Sequence, residues 1–270
     1  MTTATTTTPQ AAATAPTGPG RVAVRGLGVL LAVLLVGWGA VQVVTLLARA
    51  TDHRTATFDQ VSAVDLALGF ESVTVVGGDS STVSLDRSWS WSLQEPTVSE
   101  EVIGGRLLVR SVCHWNIGWG CTGHVRLTVP RGTPLTLRSG DGSMSVRGID
   151  AAVDISTGDG KISARDIGGP LTTRSGDGSV DIRGLRAPTA SVQTGDGSIS
   201  IEFAVAPNSV AVRSGDGTLT VLVPRGTETY QLQLSTGDGR RDVSVPTDPS
   251  SARVLRLATG DGTLRVAYAP

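Results

Sequence analysis

Seven copies of one tetrapeptide, [Ser/Thr]-Gly-Asp-Gly, punctuate the second half of this 270-residue chain and constrain its fold more than any other feature. Their aspartates are Asp141, Asp159, Asp177, Asp196, Asp216, Asp238 and Asp261, at steps of 18, 18, 19, 20, 22 and 23 residues. A turn that returns at a nearly fixed interval, with short segments on either side, is the mark of a repeat architecture. The flanking segments alternate with period two. Leu135-Thr-Leu137, Val153-Asp-Ile155 and Val210-Ala-Val212 precede the turn; Met144-Ser-Val146, Ile162-Ser-Ala164 and Leu264-Arg-Val266 follow it. Such alternation reads as half-buried strands.

Each repeat is therefore two short strands, the Gly-Asp-Gly turn and a second, variable loop. The same strand and turn return in phase, which favours parallel stacking over a hairpin meander. The expectation is an all-β, parallel β-solenoid of about seven coils over residues 131–270, with an antiparallel β-sandwich as the alternative. Stacking puts like residues about 4.8 Å apart in columns. In the turn, glycine is expected to supply φ > 0 and aspartate to bond its own neighbouring amides. One outward column reads Arg138, Ser156, Arg174, Gln193, Arg213, Ser235, Ala258, with no two arginines adjacent, as like-charge avoidance requires. The column Arg147, Arg165, Arg183 breaks that rule.

The front of the chain is different. Residues 1–20 hold no charge and no large apolar side chain beyond Met1, and are expected to be disordered. Residues 21–49 contain an apolar stretch, Gly26 to Ala48, whose only polar side chains are Gln42 and Thr45. At ~1.5 Å per residue it spans roughly 35 Å, enough for a ~30 Å hydrocarbon core. A cleaved signal is the rival reading, with Ala48-Arg49-Ala50 as its site. Arginines on both sides (Arg21 and Arg25; Arg49 and Arg54) leave the orientation tied. The cysteines break the tie. Cys113 and Cys121 are the only two, and an isolated pair in a glycine-rich β-protein suits a disulfide in an oxidising compartment. The expectation is a cell-membrane protein with a single-pass anchor, its N-terminus cytoplasmic and its C-terminal domain extracytoplasmic. Residues 50–130 would form an N-terminal β-region, or cap, carrying the Cys pair and a Trp cluster.

Candidate chemistry is sparse. A column of seven carboxylates is the obvious cation site, yet neighbours 4.8 Å apart repel by only about 0.9 kcal/mol in water, so exposed turns tolerate them without metal. The Gly-Gly-x-Gly-x-Asp nonapeptide of calcium β-rolls is missing from the sequence. The aspartates are read as turn formers, and no metal or cofactor is expected. Cys113-His114 and Cys121-x-x-His124 allow a Cys₂His₂ zinc set, although the spacing matches no usual finger. Trp89 and Trp91 share a strand face, and Trp115 and Trp119 lie inside the Cys loop. They are read as covering the open first rung, with sugar stacking or membrane-interface contact as the binding alternatives. The chain stops at Tyr268-Ala269-Pro270, so an uncapped final rung would be open to a partner or a second copy. All three histidines (His53, His114, His124) lie outside the repeat, and no hydrolase, zincin or P-loop motif is present, so the chain is not expected to be an enzyme. With a net charge of −1 and 17% charged residues, nucleic acid is not an expected partner.

Taken together, the apolar anchor, Trp89-Ser-Trp91, Cys113 and Cys121, Leu127-Thr-Val-Pro-Arg-Gly132 and the Ser/Thr-Gly-Asp-Gly coils make residues 55–270 resemble a known group. It is the bacterial membrane-anchored "putative adhesin" domains of unknown function, related to the toast-rack domains of envelope-stress systems. The second glycine of each turn departs from that group's commoner Ser-Gly-Asp pattern. The resemblance implies a β-solenoid with a surface or envelope role and supplies no catalytic residues. Three functions are expected in order: adhesion or envelope scaffolding through a cell-wall or protein partner, envelope-stress sensing, and a polysaccharide-active enzyme.

Overall fold

The computed structural model describes residues 19–47, 49–92, 94–113 and 122–270. They fall into two compact units, Met1–Ala48 and Arg49–Pro270. The first contains one helix, α1 (Pro19–Leu47), whose segment Leu27–Val44 has a mean hydropathy of 2.3 and is unburied. Among the described residues it is the one helix long and apolar enough to cross a membrane. The expected disordered tail, apart from Pro19 and Gly20, lies outside the described residues.

Among the described residues the second unit has 21 strands, and it holds its own core. It opens with β1 (Arg49–Phe58), β2 (Ala63–Leu68), β3 (Ser72–Gly78), β4 (Val83–Ser92), β5 (Thr97–Ile103), β6 (Arg106–Val112) and β7 (Thr122–Pro130). Regular pairs follow: β8 (Leu135–Ser139) with β9 (Met144–Arg147), β10 (Val153–Thr157) with β11 (Ile162–Arg165), and β12 (Leu171–Ser175) with β13 (Val180–Leu185). The last are β14 (Thr189–Gln193) with β15 (Ile199–Phe203), β16 (Ser209–Arg213) with β17 (Leu219–Val223), β18 (Gln231–Thr236) with β19 (Arg241–Val243), and β20 (Val254–Thr259) with β21 (Leu264–Tyr268).

Two sheets result. One has 11 strands in the order β1-β4-β7-β3-β9-β11-β13-β15-β17-β21-β19; the other has 10, β18-β20-β16-β14-β12-β10-β8-β2-β6-β5. From β7 and β6 to the far end, every pairing is parallel and in phase, so Val153 stands between Leu135 and Leu171, and Ile162 between Met144 and Val180. The parallel solenoid is therefore the architecture. Inward residues of the regular coils interleave to form one apolar core: Leu137, Ile155, Val212, Ile162, Ile182 and Val221 are all fully buried.

The stack is longer than the seven motifs imply. Nine coils are present, because β2/β3 and β6/β7 continue both sheets without a break. Residues 63–130 are thus largely solenoid rather than a separate cap. The repeat motif is hidden there, since Leu68-Gly69-Phe70-Glu71 occupies the turn of the β2/β3 coil.

Rung order departs from chain order at both ends. β2/β3 lies between β8/β9 and β6/β7, and β20/β21 lies between β16/β17 and β18/β19. The final rung is therefore not the one that ends the chain, which corrects the expectation of an open edge at Tyr268. The open edge belongs to β18 and β19. The opposite end is closed by reversal: β4 pairs antiparallel with β7, β1 with β4, and β5 with β6 through a two-residue turn. That turn, Gly104-Gly105, has φ of 59° and 77°, the doubly left-handed geometry that tight hairpins favour.

Candidate functional site

The Gly-Asp-Gly corner is the most regular surface of the molecule, and its chemistry differs from the expectation. None of the fourteen motif glycines has a left-handed φ; positive φ falls instead at the opposite corner, on Gly148, Asp166 and Gly184, at the hairpin, and on Gln60 before β2. The glycines are needed for approach between rungs. A Cβ on Gly158 would lie 2.6 Å from the Gly140 carbonyl oxygen, and one on Gly160 would overlap the Gly142 carbonyl. At that separation the Gly158 N–H donates to Gly140 O, and the same bond recurs from Gly195 to Gly176 and from Gly215 to Gly195.

The Ser or Thr that opens each motif completes a second ladder. Thr157 Oγ1 lies 3.1 Å from both Gly140 O and Gly142 O of the rung before it, and Thr194 Oγ1 is 3.0 Å from Gly176 O and Gly178 O. Ser175 Oγ also accepts the N–H of Gly178 at 3.1 Å. These hydroxyls are buried, so a short side chain able both to donate and to accept is required there. The aspartates bond along the stack rather than to their own neighbours. Asp177 Oδ1 accepts the Asp196 N–H at 3.4 Å, Asp216 Oδ1 that of Asp261 at 3.4 Å, and Asp261 Oδ1 that of Asp238 at 3.3 Å. Asp141 and Asp159 occupy the same column, with Asp159 Oδ1 beside Gly176 and Asp141 Oδ1 beside Gly158. Among the described residues, no group of three or more His, Cys, Asp or Glu side chains is placed to hold a metal ion.

In the β6/β7 coil, register puts Ser111 at the Ser/Thr position and Gly123 at the second glycine. Ten residues of sequence therefore separate Val112 from Gly123, whereas one aspartate separates the two glycines of later coils. Cys113 opens that segment; Cys121, Trp115, Trp119 and His114 lie outside the described residues, and with them the Cys113–Cys121 pairing and the zinc alternative. In the adjoining β2/β3 coil, Glu71 holds the second-glycine position. Glu71, 2% exposed, accepts the Ser111 hydroxyl at 2.9 Å. Register with the turn glycines, rather than alternation alone, is the signal that marks it.

Trp89 and Trp91 lie on the closing strand β4. Trp89 is 3% exposed and pairs with Gly123, where a Cβ would come 2.7 Å from its ring. Trp91 is half-buried against the core. Between them and β5, Arg87 Nε stands 3.0 Å from Glu100 Oε1, an ion pair by distance whose alignment falls short of a hydrogen bond. A cleft of about 120 Å³ opens beside this pair, lined by Asp52, Arg54, Arg87, Trp89, Trp91 and Glu95.

The two outer faces differ in charge. On the 10-stranded sheet the alternating column runs Arg110, Ala67, Arg138, Ser156, Arg174, Gln193, Arg213, Ala258, Ser235 in stacking order. Two of its four arginines reach carboxylates across rungs, Arg138 to Asp65 and Arg174 to Asp154, each at 3.5 Å; Arg110 and Arg213 have no acidic partner among the described residues, but no arginine here adjoins another. On the 11-stranded sheet Arg147, Arg165 and Arg183 are direct neighbours. Arg183 pairs with Asp181 at 3.2 Å; Arg147 and Arg165 have no acidic partner among the described residues. Lys161, the only lysine in the chain, precedes the β11 strand two residues before Ser163 on the same face. Arginines are thus direct neighbours on this face, and two of the three have no carboxylate beside them.

Comparison with known proteins supplies a family. The Toastrack DUF4097 family model matches residues 71–268, which include every regular coil and exclude α1. No curated protein matches. Solved structures similar in outline include a "putative adhesin" from Bacteroides fragilis, 14% identical with a TM-score of 0.46, covering 80% of this chain and 97% of that one. A "putative lipid binding protein" from Parabacteroides distasonis is 12% identical with a TM-score of 0.46, covering 80% and 96%. A "putative cell adhesion protein" from Clostridium sporogenes is 11% identical with a TM-score of 0.36, covering 82% and 100%.

Proposed function

The chain belongs to the Toastrack DUF4097 family, and from that premise we propose that it is a non-enzymatic, membrane-anchored adhesion module. In this reading α1 is a single-pass anchor with its N-terminus cytoplasmic, and the solenoid stands outside, held to anionic envelope material. The carrying observation is the Arg147-Arg165-Arg183 column with Lys161 beside it. Neighbouring guanidinium groups about 4.8 Å apart repel by about 0.9 kcal/mol per pair even in water. The opposite face avoids that cost by alternation and by cross-rung carboxylates. That cost is as tolerable as in the aspartate column; what suits the face to a linear polyanion is its row of adjacent guanidinium groups, two without a carboxylate, whose place phosphate would take. Arg guanidinium also binds phosphate in a two-pronged manner.

Sedimentation of the Arg49–Pro270 unit with a linear polyphosphate tests this. Binding should weaken as salt rises past the point where screening reaches about 8 Å, and should fall at least tenfold in the double variant Arg147→Ser, Arg165→Ser. Binding unchanged in that variant would overturn the assignment of the face. The exported placement has its own test. Cys113 and Cys121 should resist thiol labelling in intact cells until reduced; labelling without reduction contradicts the disulfide and removes the argument for the orientation.

A further inference from the structure

We infer that the bare end of the solenoid is a homophilic contact: β18 pairs antiparallel with β18 of a second copy, joining two molecules end to end about a two-fold axis. The two ends of the stack are built differently. At the closed end the edges are β1 and β5. β1 carries Arg49, Asp52, His53 and Arg54, and β5 carries Glu100 and Glu101. Charged, reversed edge strands are the usual protection against further pairing. At the other end β18 reads Gln-Leu-Gln-Leu-Ser-Thr, with no charge and no proline; among the described residues its outer side has no strand partner past Tyr230, the residue before it, which bridges to Thr247. β19, its neighbour in the other sheet, is three residues long and carries Arg241 and Asp242, so the open template is β18.

The core columns point the same way. Leu232 follows Val210 and Leu255, and Leu234 follows Val212 and Leu257. Those four inner-rung residues are at most 1% exposed, whereas Leu232 and Leu234 are only half-buried. An added strand would bury them. Antiparallel pairing that keeps the inward face inward sets Leu232 opposite Leu234 of the second copy and Gln233 opposite Gln233. Because the closed end offers no matching edge, the contact is isologous and stops at two copies rather than growing into a filament.

The chain enters the solenoid through β1, at the closed end, ten strand positions from β19. At ~4.8 Å per strand, tether and contact are separated by about 48 Å along the stack. Paired bare ends therefore place the two tethers at opposite ends of a rod roughly twice that length. In a membrane-anchored protein this joins two facing membranes. That last step rests on the adhesion reading above; the pairing of β18 does not. A single strand pair is a small interface, and many copies on each membrane would supply the avidity.

The Arg49–Pro270 unit, which contains all the strands and the core, and the full chain in vesicles together test the proposal. Sedimentation velocity should show a concentration-dependent monomer–dimer equilibrium. Gln233→Glu should abolish it by setting like charges opposite each other, while its carboxylate still accepts the Arg256 Nε–H that Gln233 Oε1 accepts at 3.0 Å. Mixing Gln233→Glu with Gln233→Lys should restore a dimer, and Gln233→Cys should give an oxidised covalent dimer that Gln231→Cys does not. A monomer at every concentration, or a dimer indifferent to these changes, overturns the contact. Two populations of vesicles bearing the full chain should cluster, and clustering should vanish with Gln233→Glu. A dimer in solution without vesicle clustering overturns the bridging arrangement. Polyphosphate binding by the monomeric Gln233→Glu variant separates this outcome from the proposed function, which that variant leaves intact.

Discussion

The closed end and the bare end of this solenoid solve one problem in opposite ways. A parallel stack leaves unpaired backbone and uncovered core at each terminus. The closed end reverses strand direction, adds β4, β1 and β5, and covers the core with Trp89, Trp91 and the Arg87–Glu100 pair. The bare end simply stops at β18 and β19, leaving Val243 39% exposed. Stability should therefore be concentrated at one end and availability at the other.

The largest effect that sharpens this contrast is Trp89→Ala. Losing a buried indole over Gly123 should cost about 3–5 kcal/mol in chemical denaturation, whereas Leu234→Ala at the bare end should cost about 1 kcal/mol. Equal costs would break the comparison. Next is Gly178→Ala, whose Cβ would overlap the Gly160 carbonyl and lie 2.6 Å from Ser175 Oγ. A mid-stack rung cannot yield, so we expect about 3 kcal/mol. Gly239→Ala meets the Gly262 carbonyl in the same way, but the terminal coil can lift, and about 1 kcal/mol is expected. Thermal melts of the two variants decide it.

Smaller than the mid-stack glycine effect is Arg87→Ala, which leaves the mostly buried Glu100 without its counter-charge. About 2 kcal/mol is expected, less than for a fully buried pair because some solvent reaches both side chains. The smallest is Tyr230→Phe. Tyr230 is 1% exposed and its hydroxyl has no hydrogen-bond partner, so its removal should change stability by less than about 0.5 kcal/mol at pH 7. Burial, reinforced by Glu228, raises the Tyr230 pKa above its ordinary 10.0. The unfolded phenol ionises first, so native stability should fall as pH rises through that value, and Tyr230→Phe should remove this alkaline loss. Urea titrations at pH 7 and above pH 10 measure both.

The middle of the molecule was legible because each coil repeats its own instructions. Alternation gave the strands, and the in-phase return of Gly-Asp-Gly gave the parallel stack. The ends were less legible because rung order is decided by pairing between distant segments, and a motif carries no record of its neighbour. A trace of it does exist. At the bare end 224–230, which passes over a rung, and 244–253, which turns back to the adjacent one, are longer than 148–152 and 166–170, although 131–134 at the closed end passes over a rung in four residues. The widening steps of 22 and 23 residues reflect this. The glycines were misread for a different reason. A turn suggests backbone freedom, while the reason here is the carbonyl of the previous rung, which only the stack reveals. Glu71 was invisible because the β2/β3 coil shares the geometry of the repeat without its letters.

The difference between the ends is tested most directly by amide hydrogen exchange of the Arg49–Pro270 unit across a hundredfold range of concentration. The account predicts slow exchange in β4 and β7 at every concentration. In β18 it predicts fast exchange when dilute and protection that grows as the protein is concentrated. Protection of β18 that is already complete in dilute solution, or that never changes with concentration, would contradict it.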